Sequence, residues 1–388
     1  GGLGTETIRM MVEGEFGYVD TILIIGCAMI FMKVIEGSGA LDALSSLIIE
    51  KFHRFPAVLL VLIMLIIMFP GMITGSSTAA VLSAGSIMAP VLALMGIDAV
   101  TSGSIIAMGA LLGMIAPPVN TAALIICAGI DVPYVGFEGP LALITFPLAI
   151  LFVLLLGYKQ ARHMDYEKLK PALEKQDAIR KQYGVRIYIP LLVLVALMVI
   201  FKVLKLGEDI GMPLMFLISA AVGLFTGKKI NVLTAVPEAI RTAAPVMGIL
   251  MGVGMFIEVM TATGVRGLVV ISCLRLPSTL WLLACAISIP LFGAVSSYGA
   301  CSVLGVPFAY IYASLLGGNS VVVLAAISLI AAVGDMMPPT ALAGLFAAQV
   351  TGVEKYTKIL KRCIVPIIIL LVYACFFLAN SKLIAGLF

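Results

Sequence analysis

The sequence predicts an all-α membrane protein of two inverted-topology repeats, each holding a re-entrant helical hairpin and a proline-broken helix. Three observations carry that expectation. Of 388 residues, 62% are hydrophobic and 11% charged, with a mean hydropathy of +1.19, where soluble domains carry about 25% charged residues. Apolar runs near the roughly 20 residues that cross a bilayer recur from end to end, which one leader or one anchor would not produce. Short motifs also return at a fixed spacing of 221 residues: Arg54-Phe55-Pro56 as Arg275-Leu276-Pro277, Pro117-Pro118 as Pro338-Pro339, and Val132 as Val353. Upstream, Phe31 and Val34 match Phe256 and Val259 at 225.

The chain is accordingly divided into a first repeat at 1–157, a linker at 158–186 and a second repeat at 187–388. The matched parts of the two repeats are roughly 18–157 and 237–381; the apolar runs 187–205 and 210–226 come ahead of the second, and their counterparts fall before or at the start of this sequence, so one or two further helices are expected upstream. The linker holds eight Lys/Arg against four Asp/Glu, and the positive-inside bias places it in the cytoplasm. Walking outward from it puts Lys228 and Lys229 inside and Glu208 and Asp209 outside. If the halves are inverted, Lys51, His53, Arg54, Lys355, Lys358, Lys361 and Arg362 also lie inside, with Asp131 and Glu138 outside. Two halves related by an axis in the membrane plane are the organisation of secondary transporters.

In the first half, two apolar runs flank Gly75-Ser76-Ser77-Thr78, which reads as a hairpin over 57–95 with its tip at membrane depth. Non-helical backbone is tolerated there only inside protein or against a watery cavity. Its counterpart is a hairpin over 278–316 with the tip Val295-Ser296-Ser297-Tyr298-Gly299. The stretches 41–52 and 264–275 read as amphipathic connecting arms. Each hairpin is followed by an apolar stretch broken by prolines: 99–130 at Pro117-Pro118-Val119-Asn120-Thr121, and 320–350 at Pro338-Pro339-Thr340. Proline removes a backbone donor and clashes with the preceding turn, so each pair frees carbonyls near mid-membrane. Freed carbonyls beside hydroxyl and amide oxygens suit Na⁺, while half-helix N-termini suit an anionic solute group. The solute-binding candidates are Gly75, Thr78, Pro117, Pro118, Thr121, Ser296, Tyr298, Pro338 and Pro339. Asp335 lies three residues before Pro338 in an apolar stretch, and a carboxylate at such depth needs a proton, a cation or a partner, which makes it the leading candidate for ion coupling. Lys33, Glu36 and Glu258, nearer helix ends, read as snorkelling side chains.

The seven cysteines, among them Cys27, Cys127 and Cys301, show no metal or disulfide spacing and read as packing residues. An intramembrane enzyme with Ser76 or Ser297 as nucleophile lacks a base, because the two histidines, His53 and His163, fall in expected cytoplasmic loops. A channel has little use for paired broken helices. No nucleic-acid partner, organic cofactor or transition metal is expected.

The segment Gly71-Met72-Ile73-Thr74-Gly75-Ser76-Ser77-Thr78-Ala79-Ala80, with Gly85-Ser86-Ile87-Met88-Ala89-Pro90 and Ile115-Ala116-Pro117-Pro118, resembles the large membrane subunit of the tripartite ATP-independent periplasmic (TRAP) transporters of the ion-transporter superfamily. The resemblance implies an elevator-type fold in which a scaffold carries a moving transport domain with both hairpins. It implies Na⁺-driven uptake of a small organic anion, delivered by a periplasmic substrate-binding protein, and a small four-helix membrane subunit on the scaffold, all at the bacterial inner membrane. By the same likeness Na⁺ is held near Ser76, Ser77 and Asn120 in one half and near Ser297 and Thr340 in the other, with Asp335 and Thr340-Ala341-Leu342 departing from the usual pattern. A stand-alone carrier of the same superfamily, coupled to Na⁺ or H⁺ without a binding protein, is the competing expectation.

Overall fold

The computed structural model describes residues 4, 6–162, 177–204, 207–295 and 301–388; His163, Lys205 and the second tip's Ser296, Ser297, Tyr298 and Gly299 lie outside them. Among the described residues all regular structure is helical. Helices α1 (Glu6–Phe16), α2 (Val19–Ser38) and α3 (Ala40–Phe52) lead into the first hairpin, α4 (Pro56–Thr74) and α5 (Ser77–Leu94). Helices α6 (Ala99–Gly113) and α7 (Thr121–Gly129) flank the first break, and α8 (Glu138–Ala161) ends the first half. Beyond the linker come α9 (Ile189–Leu204), α10 (Gly207–Thr226), α11 (Val232–Ala262) and α12 (Val265–Leu274). The second hairpin pairs α13 (Ser278–Gly293) with α14, made of Cys301–Gly305, Val306–Ala309 and Tyr310–Leu315. Helix α15 (Ser320–Ala332) runs into the tight turn Val333–Met336, and α16 (Leu342–Thr351), α17 (Tyr356–Ala379) and α18 (Ser381–Ala385) complete the chain. Six of the described helical segments are long and apolar enough to cross a membrane, or seven if the bent pair α1–α2 is one span. The chain is an all-α multi-pass membrane protein.

Local chemistry explains the helix boundaries, and several of the same devices recur at matched spacings among the described residues. Pro56 opens α4 at its first turn and Gly75, at φ +64°, closes it in the left-handed region, the preferred use of each residue. Ser76 then caps α5 by accepting from Ala79 N at 3.3 Å. Gly96 and Gly317, both at positive φ, precede the caps Asp98 and Asn319, whose side chains accept from Thr101 N at 3.0 Å and Val322 N at 3.1 Å. These two pairs are each 221 residues apart. Wide π-type turns occupy Val81–Gly85 and Cys301–Gly305, and Gly39 and Gly264, 225 apart, both turn at positive φ between a long helix and an arm. Both proline pairs are joined by cis peptide bonds. Partial burial opposes the charge on Asp98, but bonds from Gln160 and from Thr101 N and Oγ1 outweigh it and hold its pKa below the ordinary aspartate value. The cap therefore stabilises at neutral pH and is lost only as pH falls through that lowered value.

Helices α6 and α15 form the centre. Every residue from Thr101 to Gly113 and from Val322 to Ala332 is buried, as expected of helices apolar on all sides. A glycine at the end of α6 and another in the turn after α15 press against the hairpin arms: a Cβ on Gly113 would lie 2.5 Å from Met68 O, and one on Gly334 would lie 2.7 Å from Gly293 Cα. Backbone on the receiving side has no rotamer to change. Gly113→Ala is therefore expected to cost about 1–3 kcal/mol, the range for overpacking, read as a lowered Tm in detergent. Gly252→Ala, whose Cβ meets nothing within 4 Å in the interior of α11, should raise Tm slightly through about 1 kcal/mol of helix propensity; equal behaviour of the two variants would refute this packing account.

Candidate functional site

The first tip is narrower than the polar stretch in the sequence, since Ser77 and Thr78 already belong to α5. Thr74 Oγ1 turns back to Pro70 O (2.7 Å) and accepts from Ser76 N (3.3 Å). From across the break, Thr121 Oγ1 donates to Gly75 O at 3.2 Å. The second half makes the matching bond, Thr340 Oγ1 to Ala294 O at 2.7 Å. Both bonds span 46 residues, yet Thr121 and Thr340 are 219 apart while the proline pairs are 221 apart. The second break is thus two residues shorter, and Val119-Asn120 has no counterpart there.

Those two residues do much to secure the first break. Val119 N donates to Met72 O (3.1 Å). Asn120 is fully buried, caps α7 through Oδ1 (Ala123 N, 2.9 Å), and donates from Nδ2 to Ile115 O (3.1 Å) and to Ser328 Oγ (2.8 Å) of α15. Tyr134 completes the clamp, its hydroxyl donating to Pro118 O (3.1 Å) and accepting from Asn120 N (3.2 Å). Carbonyls freed by the prolines are therefore partly taken up by the protein itself.

Asp335 is only 3% exposed and accepts from Ser77 Oγ at 2.5 Å. This bond ties the first helical turn of α5 to the turn that ends α15, joining the two halves. A cavity of about 540 Å³ opens beside it. The first hairpin and the second break contribute Thr74, Ser76, Ser77, Thr78, Ser83, Ser86 and Asp335 to its lining. Helix α2 contributes Ile25, Met29, Met32, Lys33 and Glu36, and α11 contributes Thr242, Ala243, Pro245, Val246 and Ile249. Of the sequence-predicted residues, Ser76, Ser77, Thr78 and Asp335 meet at this cavity. Gly75 and Thr121 brace it from behind, Asn120 is sealed in the core with Ser328, and Thr340 holds the end of the first arm of the second hairpin. None of Pro117, Pro118, Pro338 or Pro339 lines the cavity, and Pro338 and Pro339 are exposed.

In the sequence Lys33 and Glu36 read as snorkelling side chains and Thr242 does not stand out; all three line the cavity. Lys33 and Glu36 sit in the cavity wall, and the signal was an opposite-charge pair one turn apart in an otherwise apolar α2. Of two further lining serines not singled out in the sequence, Ser83 lies within the wide turn of α5 and Ser86 directly after it, where helical irregularity often marks a site.

Broken helices and a hydroxyl-lined cavity within an apolar helical bundle define a membrane transport protein. A family model described as "Tripartite ATP-independent periplasmic transporter, DctM component" matches residues 6–381, and the chain belongs to this family, the large component of a tripartite secondary transporter. No curated protein sequence matches. The YdaH transporter of Alcanivorax borkumensis, described as having an unusual topology, is similar in structure with a TM-score of 0.62 and 15% identity, over 99% of this chain and 90% of that one. MtrF of Neisseria gonorrhoeae, described as illuminating a class of antimetabolite efflux pumps, gives a TM-score of 0.62 and 13% identity over 97% and 83%. Likeness at such identities is one of fold. Family membership sets the enzyme alternative aside.

The Thr121–Gly75 bond generates a prediction. Removing one hydrogen bond costs about 1 kcal/mol, roughly fivefold in an opening equilibrium. Thr121→Val is expected to speed amide exchange at Gly75 and Ser76 by about that factor, while Thr121→Ser leaves it unchanged; equal exchange in both would remove the brace.

Proposed function

We propose that the chain carries a small organic acid, dicarboxylate-like or a sugar acid, into the cell in symport with Na⁺, and that Asp335 with Ser77 and Ser76 forms the coupling site. The observation that carries this reading is the 2.5 Å bond from Ser77 to a buried Asp335 at the wall of a polar cavity. A carboxylate out of water must be neutralised or coordinated, and the oxygens here are hard donors of the kind that hold alkali and alkaline-earth cations. Ser77 opens α5, so its helix end also directs positive potential at the cavity. With Na⁺ on the second-half turn and the first-half tip at once, ion binding draws the halves together and prepares the cavity for an anion. Asn120 and Thr340 act one layer back, holding the breaks; Ser297 belongs to the equivalent tip.

In this reading 1–157 and 187–388 thread the bacterial inner membrane in opposite directions about the cytoplasmic linker 158–186. The hairpins and breaks move as a body against a scaffold of α2 and α11 in an elevator mechanism. A periplasmic binding protein delivers the solute, and a small four-helix membrane subunit supports the scaffold. The matched helix caps, the positive-inside distribution of charge and the family's tripartite organisation support it.

Retention of radioactive Na⁺ by the purified full chain tests coupling without knowledge of the solute. Asp335→Asn should lower Na⁺ affinity about tenfold or more, the loss of a bond to a charged group, with Tm maintained. In proteoliposomes holding the assembled transporter, uptake from a panel of labelled dicarboxylates and sugar acids should follow an inward Na⁺ gradient. Uptake that persists with K⁺ in place of Na⁺ and follows a pH gradient would make Asp335 a proton carrier and overturn the Na⁺ assignment.

A further inference from the structure

Among the described residues lining the cavity, Lys33 is the one basic group. Its Nζ lies 3.1 Å from Glu36 Oε2, one turn along α2, and 3.1 Å from Glu238 Oε1 on α11. Both distances exceed the roughly 2.7–2.9 Å of a well-formed charge-assisted bond. The two acids are held differently. Glu36 shares the cavity wall and is 26% exposed, whereas the Glu238 side chain is 64% exposed. Glu238 also lies one turn from Thr242, whose hydroxyl donates to the Glu238 carbonyl oxygen at 2.8 Å and which itself lines the cavity. Glu238 therefore stands at the rim, reaching in to Lys33.

The charged groups of the cavity come from separate elements. Asp335 comes to the lining from the second break and the hydroxyls of Ser76 and Ser77 from the first hairpin, whereas Lys33 comes from α2 together with its partner Glu36 and the apolar Ile25, Met29 and Met32. An anionic solute is repelled by Asp335 unless a cation cancels it, and is drawn to the ammonium group, which has three donors. An ion pair with a partner as exposed as Glu238 contributes about 0.2–1 kcal/mol. A carboxylate arriving through the cavity therefore exchanges for Glu238 at little cost.

We propose that Lys33 is the side chain that reads the carboxylate of the carried solute, and that Glu238 holds this place while the cavity is empty. The proposal rests on the assignment of the cavity as the solute site and adds to it a specificity determinant on α2, outside both hairpins and both breaks. Glu36 keeps Lys33 aimed, and Glu238 is exchanged for the solute. Because Lys33 belongs to α2 while Asp335 belongs to the second break, the solute's anionic end is turned toward α2 and its remainder toward the hairpin hydroxyls.

The two partners of one ion pair then act in opposite directions, which a merely structural bridge would not do. Equilibrium binding of labelled succinate and gluconate to the purified full chain in Na⁺ is the measurement, with succinamide as the uncharged control. Lys33→Gln should raise Kd about tenfold, the loss of one bond to a charged group, and Lys33→Arg should restore most of the affinity. Glu238→Gln should lower Kd severalfold by removing the competitor. Succinamide, if it binds, should respond to neither change. If Lys33→Gln does not fold, the sign of the Glu238→Gln effect decides alone. Shifts in the same direction for both variants, or none, with wild-type binding intact, overturn the role of Lys33 while leaving the cavity as the solute site. Absence of wild-type binding for both acids overturns the organic-acid reading of the cavity and this proposal with it.

Discussion

A helix broken inside a bilayer exposes amides and carbonyls that lipid cannot satisfy, and the rest of this structure is arranged around that constraint. Helices α6 and α15 are buried on every side, so each break begins within protein, although the second emerges at the exposed Pro338 and Pro339. Polar groups at the breaks and hairpin ends are met by residues near and far in the chain: Tyr134 on Pro118 O, Asn120 on Ile115 O and Ser328, Thr121 on Gly75 O, and Thr340 on Ala294 O. Ser77 and Asp335 belong to this set and differ from it in one respect, because their bond borders a cavity. The same demand for satisfied polar groups thus produces both rigid braces and one contact open to a ligand.

Much of this arrangement was legible in the sequence because it is local. A glycine followed by serines between apolar runs specifies a helix end and a new cap, and the prolines specify a break, without reference to anything distant. The equal spacing of Asp98 and Asn319 is of the same kind. Asp335 stood out because a lone carboxylate in an apolar stretch is costly wherever it sits. The partners were not legible. That Asn120 would bond Ser328, 208 residues away, or that Asp335 would receive Ser77, depends on how two buried helices rotate, and periodicity is silent where all faces are apolar.

The cavity wall formed by α2 and α11 was hidden for a different reason. Lys33 and Glu36 form an opposite-charge pair near a helix end, the pattern produced equally by side chains reaching for an interface and by side chains facing an internal void. Only packing separates the two, and it turns this pair toward the hairpin tip. Repetition within the chain likewise hid a difference. The proline pairs keep one offset and the threonine braces another, so a constant register overlooks a two-residue deletion.

That deletion has a mechanical consequence. The second break joins its proline pair to α16 without the Val119-Asn120 segment that seats the first break on Met72 O, Ile115 O and Ser328. Leu342 of α16 lines the cavity, while no residue of α7 does. The carrier is thus handed at its centre: one broken helix supplies a brace sealed from water, and the other offers an acid and an apolar stop side by side. The two breaks, alike in their proline pairs and threonine braces, therefore contribute unequally to the cavity.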